Sequence, residues 1–323
     1  MDFPKEWRDF IDEWNNGKDY VTAHTSGSTG TPKEIRLLKS DMMSSACATN
    51  RRFGITRDSR LLCPLSSGYI AGKMMMVRAI AADCELITEH PSNEPLEHDY
   101  GIIDLMAVVP SQCAALLCNE NALSSLKNLI IGGAPLSADI ENELVKMPWR
   151  SYATYGMTET CSHVALRELG TSVYEAMPGV VFSQDKRGCL VIESEVFSFK
   201  RLVTNDVVEL VDSKAFRWLG RHDNVINSGG VKFHPEQLEK MLESKFSLPF
   251  CFMGIPHEKW GQAVAMVIEA SAYSDIESIR REAAAVCRAF LPRYAFPMQI
   301  NIVDALPRTS NGKIQRKGGM SKS

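Results

Sequence analysis

No C-x-x-C pair, no apolar run long enough to cross a bilayer and no excess of positive charge occur in these 323 residues. The nine cysteines are scattered without framework spacing, an odd number that suits reduced thiols in a cytoplasm better than disulfides or a zinc site. The most apolar stretch, IAGKMMMVRAIAA, is broken by Lys73 and Arg78. It falls short of the roughly 20 residues a spanning helix needs, so no membrane insertion is expected. A formal charge of -3 gives no basic footprint for nucleic acid. The opening MDFPKEWRDFIDEW lacks the basic flank and apolar core of a secretion signal and reads as an amphipathic helix. Internal repeats and low-complexity tracts are also missing, which excludes solenoids and disordered arrays. What is there is ordinary soluble composition, 45% hydrophobic and 23% charged, in a chain long enough for about two domains. A cytoplasmic protein with a small-molecule partner is expected.

The first two thirds alternates short apolar runs with segments of helical period, the pattern of strands and crossover helices. IIDLMAVV predicts a strand ended by Pro110, SQCAALLCNENAL a single helix capped by Ser111, and LKNLIIGG a second buried strand. Such a unit puts its loop at the carboxyl edge of a parallel sheet, where ligands bind. From Gly188, CLVIESEVFSF and VVELVDSKAFRWLG read instead as antiparallel hairpins. After GRHDNVINSGG, the segment HPEQLEKMLESKF sets Leu238, Met241 and Leu242 on one helical face, with Pro235 in the first turn. DIESIRREAAAVCRAF carries a stripe of Ile276, Ile279, Ala283, Val286 and Phe290. The expected fold class is α/β: a large N-terminal domain, residues 1–220, with mixed sheets and crossover helices, plus a small α+β C-terminal domain, residues 221–323.

Five loops carry candidate chemistry. Thr25 to Gly30 packs four Ser/Thr hydroxyls and two glycines ahead of Pro32 and Lys33. Converging backbone N–H groups, hydroxyls and an ammonium make a phosphate cradle in chemical terms, or equally a flexible turn, and the Walker spacing is absent. YATYGMTET offers Thr158 for a phosphate oxygen and Glu159 for Mg2+, or a helix cap. Asp206, in TNDVVEL, stands where a carboxylate could accept vicinal ribose hydroxyls. GRHDNVINSGG places Arg221 and Asp223 on the linker before a double glycine, and LPRTSNGKIQRK sets Lys313 just after an Asn-Gly turn signal. Taken singly, these last two are ordinary solvated charges.

In this order, TSGSTGTPK, GGAP, YGMTET, the Asp206 strand, GRHD and NGK resemble the adenylate-forming superfamily of acyl-CoA and aryl-CoA ligases, peptide-synthetase adenylation domains and luciferases. The resemblance runs from Thr25 to Lys313, nearly the whole chain. It implies a first half-reaction in which a carboxylic acid attacks the α-phosphorus of ATP. Thr25, Ser26, Gly27, Ser28, Thr29, Gly30 and Lys33 would then hold the leaving pyrophosphate. Thr158 would contact the α-phosphate and Glu159 would ligate Mg2+. Gly132, Gly133, Ala134 and Pro135, with Tyr155, would form the adenine wall, and Asp206 and Arg221 would fix the ribose. Lys313 resembles the catalytic lysine that bridges carboxylate and α-phosphate. A second half-reaction implied by the family passes the acyl group to coenzyme A after the small, mobile lid domain turns about a hinge at Asp223. Gly229 and Gly230 would let the pantetheine arm pass close to the backbone.

Three positions depart from the pattern. Glu34 and Asn205 stand where glycine is common, and PLSSGYIAGK puts Ser66, Ser67 and Tyr69 where relatives carry a His or bulky aromatic near the acyl site. Relatives also carry a sizeable further N-terminal portion, so the large domain is expected to be a naturally shortened version. Compactness, NSGGVKFHPEQLE and GGAPLS look most like the o-succinylbenzoate-CoA ligases of menaquinone synthesis. Such an acid keeps one carboxylate unreacted, which calls for a donor or cation in its pocket, with Lys73 and His163 as candidates. The ordinary readings of these two are a solvated helix lysine and a satisfied core histidine. The alternatives are an adenylating enzyme for another acid or a carrier-protein thiol, or a non-catalytic nucleotide-binding descendant. Against the last, Thr158, Glu159, Asp206, Arg221 and Lys313 are all present. A homodimer covering the shortened side is expected, which a concentration-independent monomer mass in solution would exclude.

Overall fold

The computed structural model describes residues 3–25, 33–271, 275–308 and 314–316. The chain forms two compact units, one of residues 1–183, 191–202 and 210–217, the other of 184–190, 203–209 and 218–323. Among the described residues no helix is long and apolar enough to cross a membrane.

In the first unit, α1 (Lys5–Asn15) buries Trp7 and Phe10 on one face, as its period requires. β1 (Tyr20–Thr25) and β2 (Lys33–Leu38) pair antiparallel, with Thr25 opposite Lys33. α2 (Lys39–Phe53) ends at Gly54, whose left-handed backbone closes the helix. There follow β3 (Arg60–Cys63), α3 (Ile70–Ala82), β4 (Glu85–Thr88), β5 (Leu105–Val108), α4 (Pro110–Leu116) and α5 (Glu120–Ser125). β6 (Asn128–Ile131), α6 (Ala138–Leu144) and β7 (Arg150–Gly156) complete the parallel part, in the order β7-β6-β5-β3-β4. β8 (His163–Glu168) and β9 (Tyr174–Ala176) continue the sheet antiparallel. β10 (Val180–Gln184), β11 (Cys189–Ser194), β12 (Arg201–Asp212) and β13 (Ala215–Arg221) extend it to eleven strands, with residues 184–190, 203–209 and 218–221 of this region counted in the second unit.

The strand period of two explains why LLC, LMAV and LII read as continuous apolar runs, since these parallel strands are buried on both faces. Leu62, Met106, Val108, Leu129 and Ile131 point into a core shared with Cys113 and Leu116 of α4, Ala122 of α5 and Leu144 of α6. The alternate residues Leu61, Cys63, Leu105 and Ile130 are equally buried, and α3 packs on β3, β4 and β5.

The second unit contains the hairpin β14 (Ile226–Ser228) and β15 (Val231–Phe233), then α7 (Pro235–Leu242), β16 (Phe250–His257), β17 (Gly261–Glu269), α8 (Ile276–Phe290) and β18 (Gln299–Val303). Phe252, Met266, Leu238, Leu242, Ala283 and Cys287 form its main core, while Cys251, Val267 and Leu306 cluster separately. A mixed α/β architecture with a large sheet domain and a small C-terminal domain is thus what the chain adopts.

Local expectations differ from the structure in three places. One helix after Pro110 becomes two, and Ser111 is no cap: Pro110 opens α4, and Gln112 Oε1 accepts the Val109 N–H at 3.1 Å. Asn119 then accepts the Ala122 N–H at 3.0 Å and starts α5, a side-chain competition for backbone donors that breaks the helix. Met241 is exposed, because the i, i+4 pair Leu238 and Leu242 sets the buried face of α7. Ile276 and Phe290 are exposed too, lying at the two ends of α8 while Ala283 and Cys287 hold its centre.

Candidate active site

Parallel pairing brings the carboxyl ends of β3, β5, β6 and β7 to one edge, so the loops that follow them are neighbours. Gly132, Gly133, Ala134 and Pro135 form the turn after β6, where Gly133 takes a φ of +90° that a side chain would strain. A Cβ on Gly132 would meet Thr154 Oγ1 at 2.5 Å, so this turn lies directly against β7. Tyr155 is half-buried at the end of β7, edge-on to Phe216 at 5.1 Å and to Tyr174 at 5.9 Å between ring centroids.

Beyond Tyr155 the pairing with β8 shifts register at Gly156, where a Cβ would sit 2.1 Å from Ser162 O and 2.6 Å from His163 Cα. That close approach lets the chain reverse through a 3-10 turn, Thr158–Thr160. Thr160 Oγ1 accepts the Met157 N–H at 3.0 Å and donates to Ser162 O at 2.6 Å, fixing the turn from inside. Thr158 is half-buried and Glu159 exposed, and neither side chain has a hydrogen bond or ion pair among the described residues. β1 and β2 pack beside this same turn. The strands that flank the Ser/Thr/Gly-rich run therefore lie beside a turn that the sequence keeps about 130 residues away. Ser26, Gly27, Ser28, Thr29, Gly30 and Lys313 lie outside the described residues, and of Thr25 and Lys33 the backbone alone is described. Glu34 sits in β2 opposite His24, an extended position that needs no glycine.

Beneath the turn lies a buried polar network that sequence reasoning assembled only in part. His163 Nε2 pairs with Thr49 Oγ1 at 3.1 Å and its Nδ1 with Ser162 Oγ at 3.4 Å. Arg78 Nη2 donates to Ser162 Oγ at 3.0 Å, and Asn50 Nδ2 donates to Arg78 O at 2.8 Å. Burial, reinforced by the Arg78 charge, holds the His163 imidazole well below its usual range and so neutral. Burial also lowers the Arg78 guanidinium to about 10, still cationic at neutral pH. Arg78 is 1% exposed, its Nε has no partner, and no carboxylate pairs with it among the described residues. An arginine in a mostly apolar helix, five residues after Lys73, was the signal for it. The neighbouring Cys161 thiol is pushed up to about 12 by burial, which removes it as a nucleophile.

Of the residues expected at the acyl site, three are engaged by α1. Ser66 Oγ donates to Glu6 Oε2 at 2.7 Å, Ser67 Oγ donates to Glu6 O at 2.9 Å, and Lys73 pairs with Glu13 at 3.0 Å beneath the Phe10 ring. Tyr69 is 69% exposed.

In the second unit Asp206 is buried and accepts from Trp218 Nε1 at 3.2 Å and Arg221 Nη1 at 3.4 Å. Arg221 also faces Asp223 at 3.7 Å in the 3-10 turn His222–Asn224. The amide of Asn205 joins Arg187 (3.0 Å) to Asp223 (3.4 Å), a bridge that glycine could not make. Gly229 and Gly230 turn the β14–β15 hairpin with φ of +60° and +88°.

A profile described as AMP-binding enzyme matches residues 5–186, and one described as AMP-binding enzyme C-terminal domain matches residues 250–313. The chain belongs to the AMP-binding enzyme family. Among curated AMP-binding relatives, a 2-succinylbenzoate--CoA ligase of Listeria monocytogenes serotype 4b is 26% identical over 95% of this chain and 70% of its own. A protein of the same name from Bacillus pumilus is 25% identical over 91% of this chain and 67% of its own. Among solved structures, an acyl-CoA synthetase (AMP-forming)/AMP-acid ligase II-like protein from Dyadobacter fermentans is 32% identical, with a TM-score of 0.65 over 98% of this chain and 95% of that one. The Bacillus subtilis o-succinylbenzoate CoA synthetase in complex with its acyl-adenylate shares the fold, with a TM-score of 0.78 at 20% identity over 94% and 69% of the two chains.

These residues fit the ligands of such an enzyme. An exposed Glu159 and the Thr158 hydroxyl beside it, neither with a partner among the described residues, offer hard oxygen ligation for Mg2+ and a contact for phosphate, and the cation would neutralise phosphate charge there. The glycine turn against Thr154 of β7, with the half-buried Tyr155 ring next along that strand, offers a partly apolar wall of the kind an adenine ring needs.

Proposed function

We propose that the protein is an ATP-dependent, AMP-forming acid-CoA ligase that converts an acid to its acyl-adenylate and then to the CoA thioester. The acid we propose is 2-succinylbenzoate (o-succinylbenzoate). One observation carries the reading: in a chain of the AMP-binding family, the hairpin of the Ser/Thr/Gly-rich loop packs beside the turn bearing Thr158 and Glu159. The named relatives, whose likeness covers most of the chain, support the choice of acid.

In this reading the run Thr25 to Gly30, with Lys33, takes the β- and γ-phosphates, Thr158 the α-phosphate and Glu159 the metal. Asp206 and Arg221 hold the ribose and Lys313 stabilises charge as the carboxylate attacks phosphorus. A domain division near residue 220, with rotation about Asp223, then serves the thiol step, and Gly229 and Gly230 line the path of pantetheine. The enzyme works in the cytoplasm as a homodimer. For the unreacted carboxylate of the acid, Arg78 is the better cation than Lys73. Lys73 already has Glu13, whereas Arg78 is buried without a carboxylate among the described residues, an arrangement costly enough to call for an anion.

The test is pyrophosphate release from Mg-ATP with 2-succinylbenzoate against a panel of aryl and fatty acids, with and without CoA, with the thioester read by mass. 2-Succinylbenzoate should give both products, and Lys313→Ala should abolish pyrophosphate release while ATP binding persists, because its contacts strengthen in the transition state. Full activity in that variant removes the mechanism. Thioester from a different acid replaces the substrate, and silence across the panel despite ATP binding favours a nucleotide-binding descendant.

A further inference from the structure

Within the second unit, the chain after β18 is held from two sides by acidic side chains. On the incoming side Glu269, at the end of β17, accepts the Leu306 N–H at 2.9 Å and faces Arg308 at 3.5 Å. On the outgoing side Arg316 Nη2 meets Glu239 Oε2 at 2.5 Å, Nη1 meets Glu236 Oε1 at 3.4 Å, and Nε donates to Phe252 O at 3.3 Å. Glu239 Oε1 accepts the Phe252 N–H at 2.8 Å, so the carboxylate and guanidinium grip β16 together. The side chains of Arg316, Glu236 and Glu239 are 12%, 12% and 20% exposed.

Between these anchors Arg308 bridges to Ile314, and the Gln315 N–H donates to Pro307 O at 2.8 Å. Ile314 packs against the cluster of Cys251, Val267 and Leu306. Arg308 and Ile314, which flank the stretch 309–313, are therefore pinned side by side, and the last residue of that stretch is Lys313. Glu236 has one further partner, since its Oε1 accepts Asn224 Nδ2 at 2.6 Å, in the turn that holds Asp223. One carboxylate thus ties the first residue after the proposed hinge to Arg316, three residues beyond Lys313.

A buried ion cluster adds little stability over apolar side chains of similar size, so stability alone is a weak reason for three charges here. Fixing a stem is a better one, because a guanidinium fork bonded to two carboxylates and a carbonyl has one geometry. We infer that Arg316, through Glu236 and Glu239, is the positioning residue for Lys313, setting the stem from which its ammonium reaches the reacting groups. The inference rests on the adenylate-forming reading above.

The test separates the two half-reactions in the full chain: pyrophosphate release from Mg-ATP and acid, and thioester formation from CoA and preformed acyl-adenylate. Arg316→Gln should lower kcat of the first by about 10- to 100-fold, the scale of a roughly 1 Å misplacement, with the KM for ATP and the second half-reaction changed by no more than about threefold. Arg316→Lys, which keeps the charge but not the fork, should fall between. In the Lys313→Ala background, Arg316→Gln should cost nothing further. Losses that multiply with Lys313→Ala, equal losses in both half-reactions, or an unimpaired first half-reaction overturn the inference while leaving the functional reading in place. A wild type silent in both half-reactions overturns the reading and the inference together. If Arg316→Gln does not fold, Glu239→Gln, which keeps an acceptor for Phe252, carries the same comparison.

Discussion

Gly156→Ala is the smallest change that tests whether the close approach of β7 and β8 builds the active-site turn. Its added Cβ would lie 2.1 Å from Ser162 O, where about 3.4 Å is the ordinary contact distance, and 2.6 Å from the His163 Cα. Both obstacles are backbone, so no side chain can swing aside and β8 must retreat by more than 1 Å. We expect a loss at the top of the overpacking range, about 2 to 3 kcal/mol. In a body of this size that lowers Tm by roughly 5 to 10 °C. The same retreat displaces Thr158 and Glu159, which follow Gly156 within three residues, and should cut pyrophosphate release by at least about tenfold. Thermal unfolding by circular dichroism and a pyrophosphate assay read the two effects. Gly17→Ala is the control, because nothing lies within 4 Å of its added carbon, and it should stay within about 0.5 kcal/mol of wild type. If Gly156→Ala unfolds within about 1 °C of wild type and keeps its rate, the argument from close approach is refuted.

Two other outcomes follow from buried charge. Arg78→Met removes a buried cation with no carboxylate partner, so thermal stability should hold or rise, while the KM for 2-succinylbenzoate climbs at least about tenfold and that for benzoate-type monoacids does not. A large drop in Tm with unchanged acid preference would make Arg78 structural. Glu239 is pushed from its ordinary 4.5 up to about 7, by burial first, against the pull of Arg316. A carboxyl raised in this way gives stability that is complete below pH 4.5 and lost as pH rises through about 7, at most about 3 kcal/mol. The stability difference between wild type and Glu239→Gln, from urea unfolding at pH 5 and pH 8, should therefore shrink as pH rises. A difference that grows with pH contradicts the sign.

Much of the fold could be read along the chain because its strands and helices are buried in regular patterns. LMAV, and LII after Asn128 in β6, are continuous apolar runs because both faces of a parallel sheet are covered, and the amphipathic start became α1 because Trp7 and Phe10 recur at helical spacing. The failures sit where local side chains compete with the backbone. Asn119 captured the Ala122 N–H and ended one helix to begin another, and nothing in the apolar period of SQCAALLCNENAL marks that break. Likewise Met241 is as apolar as Leu242, and only the angle of α7 on its sheet decides which is buried.

The site divides along the same physical line. That Gly132 and Gly133 make a turn and that Glu159 is exposed was legible, because backbone geometry and exposure are local properties and a short motif holds all that specifies them. Lys73, His163 and Arg78 were not, because a charge in a sequence carries no record of its partner. Lys73 looked available for a substrate until α1 brought Glu13 to it from 60 residues away, and the same helix took Ser66 and Ser67 through Glu6. His163 looked like a possible donor, yet burial and the Arg78 charge keep it neutral and Thr49 occupies its Nε2. Arg78, passed over as a break in an apolar helix, is left as a buried cation without a carboxylate partner among the described residues and with a nitrogen unsatisfied. A buried guanidinium costs several kcal/mol if nothing negative meets it. A dicarboxylic acid is the substrate that would repay that cost, since one carboxylate can react while the other stays bound.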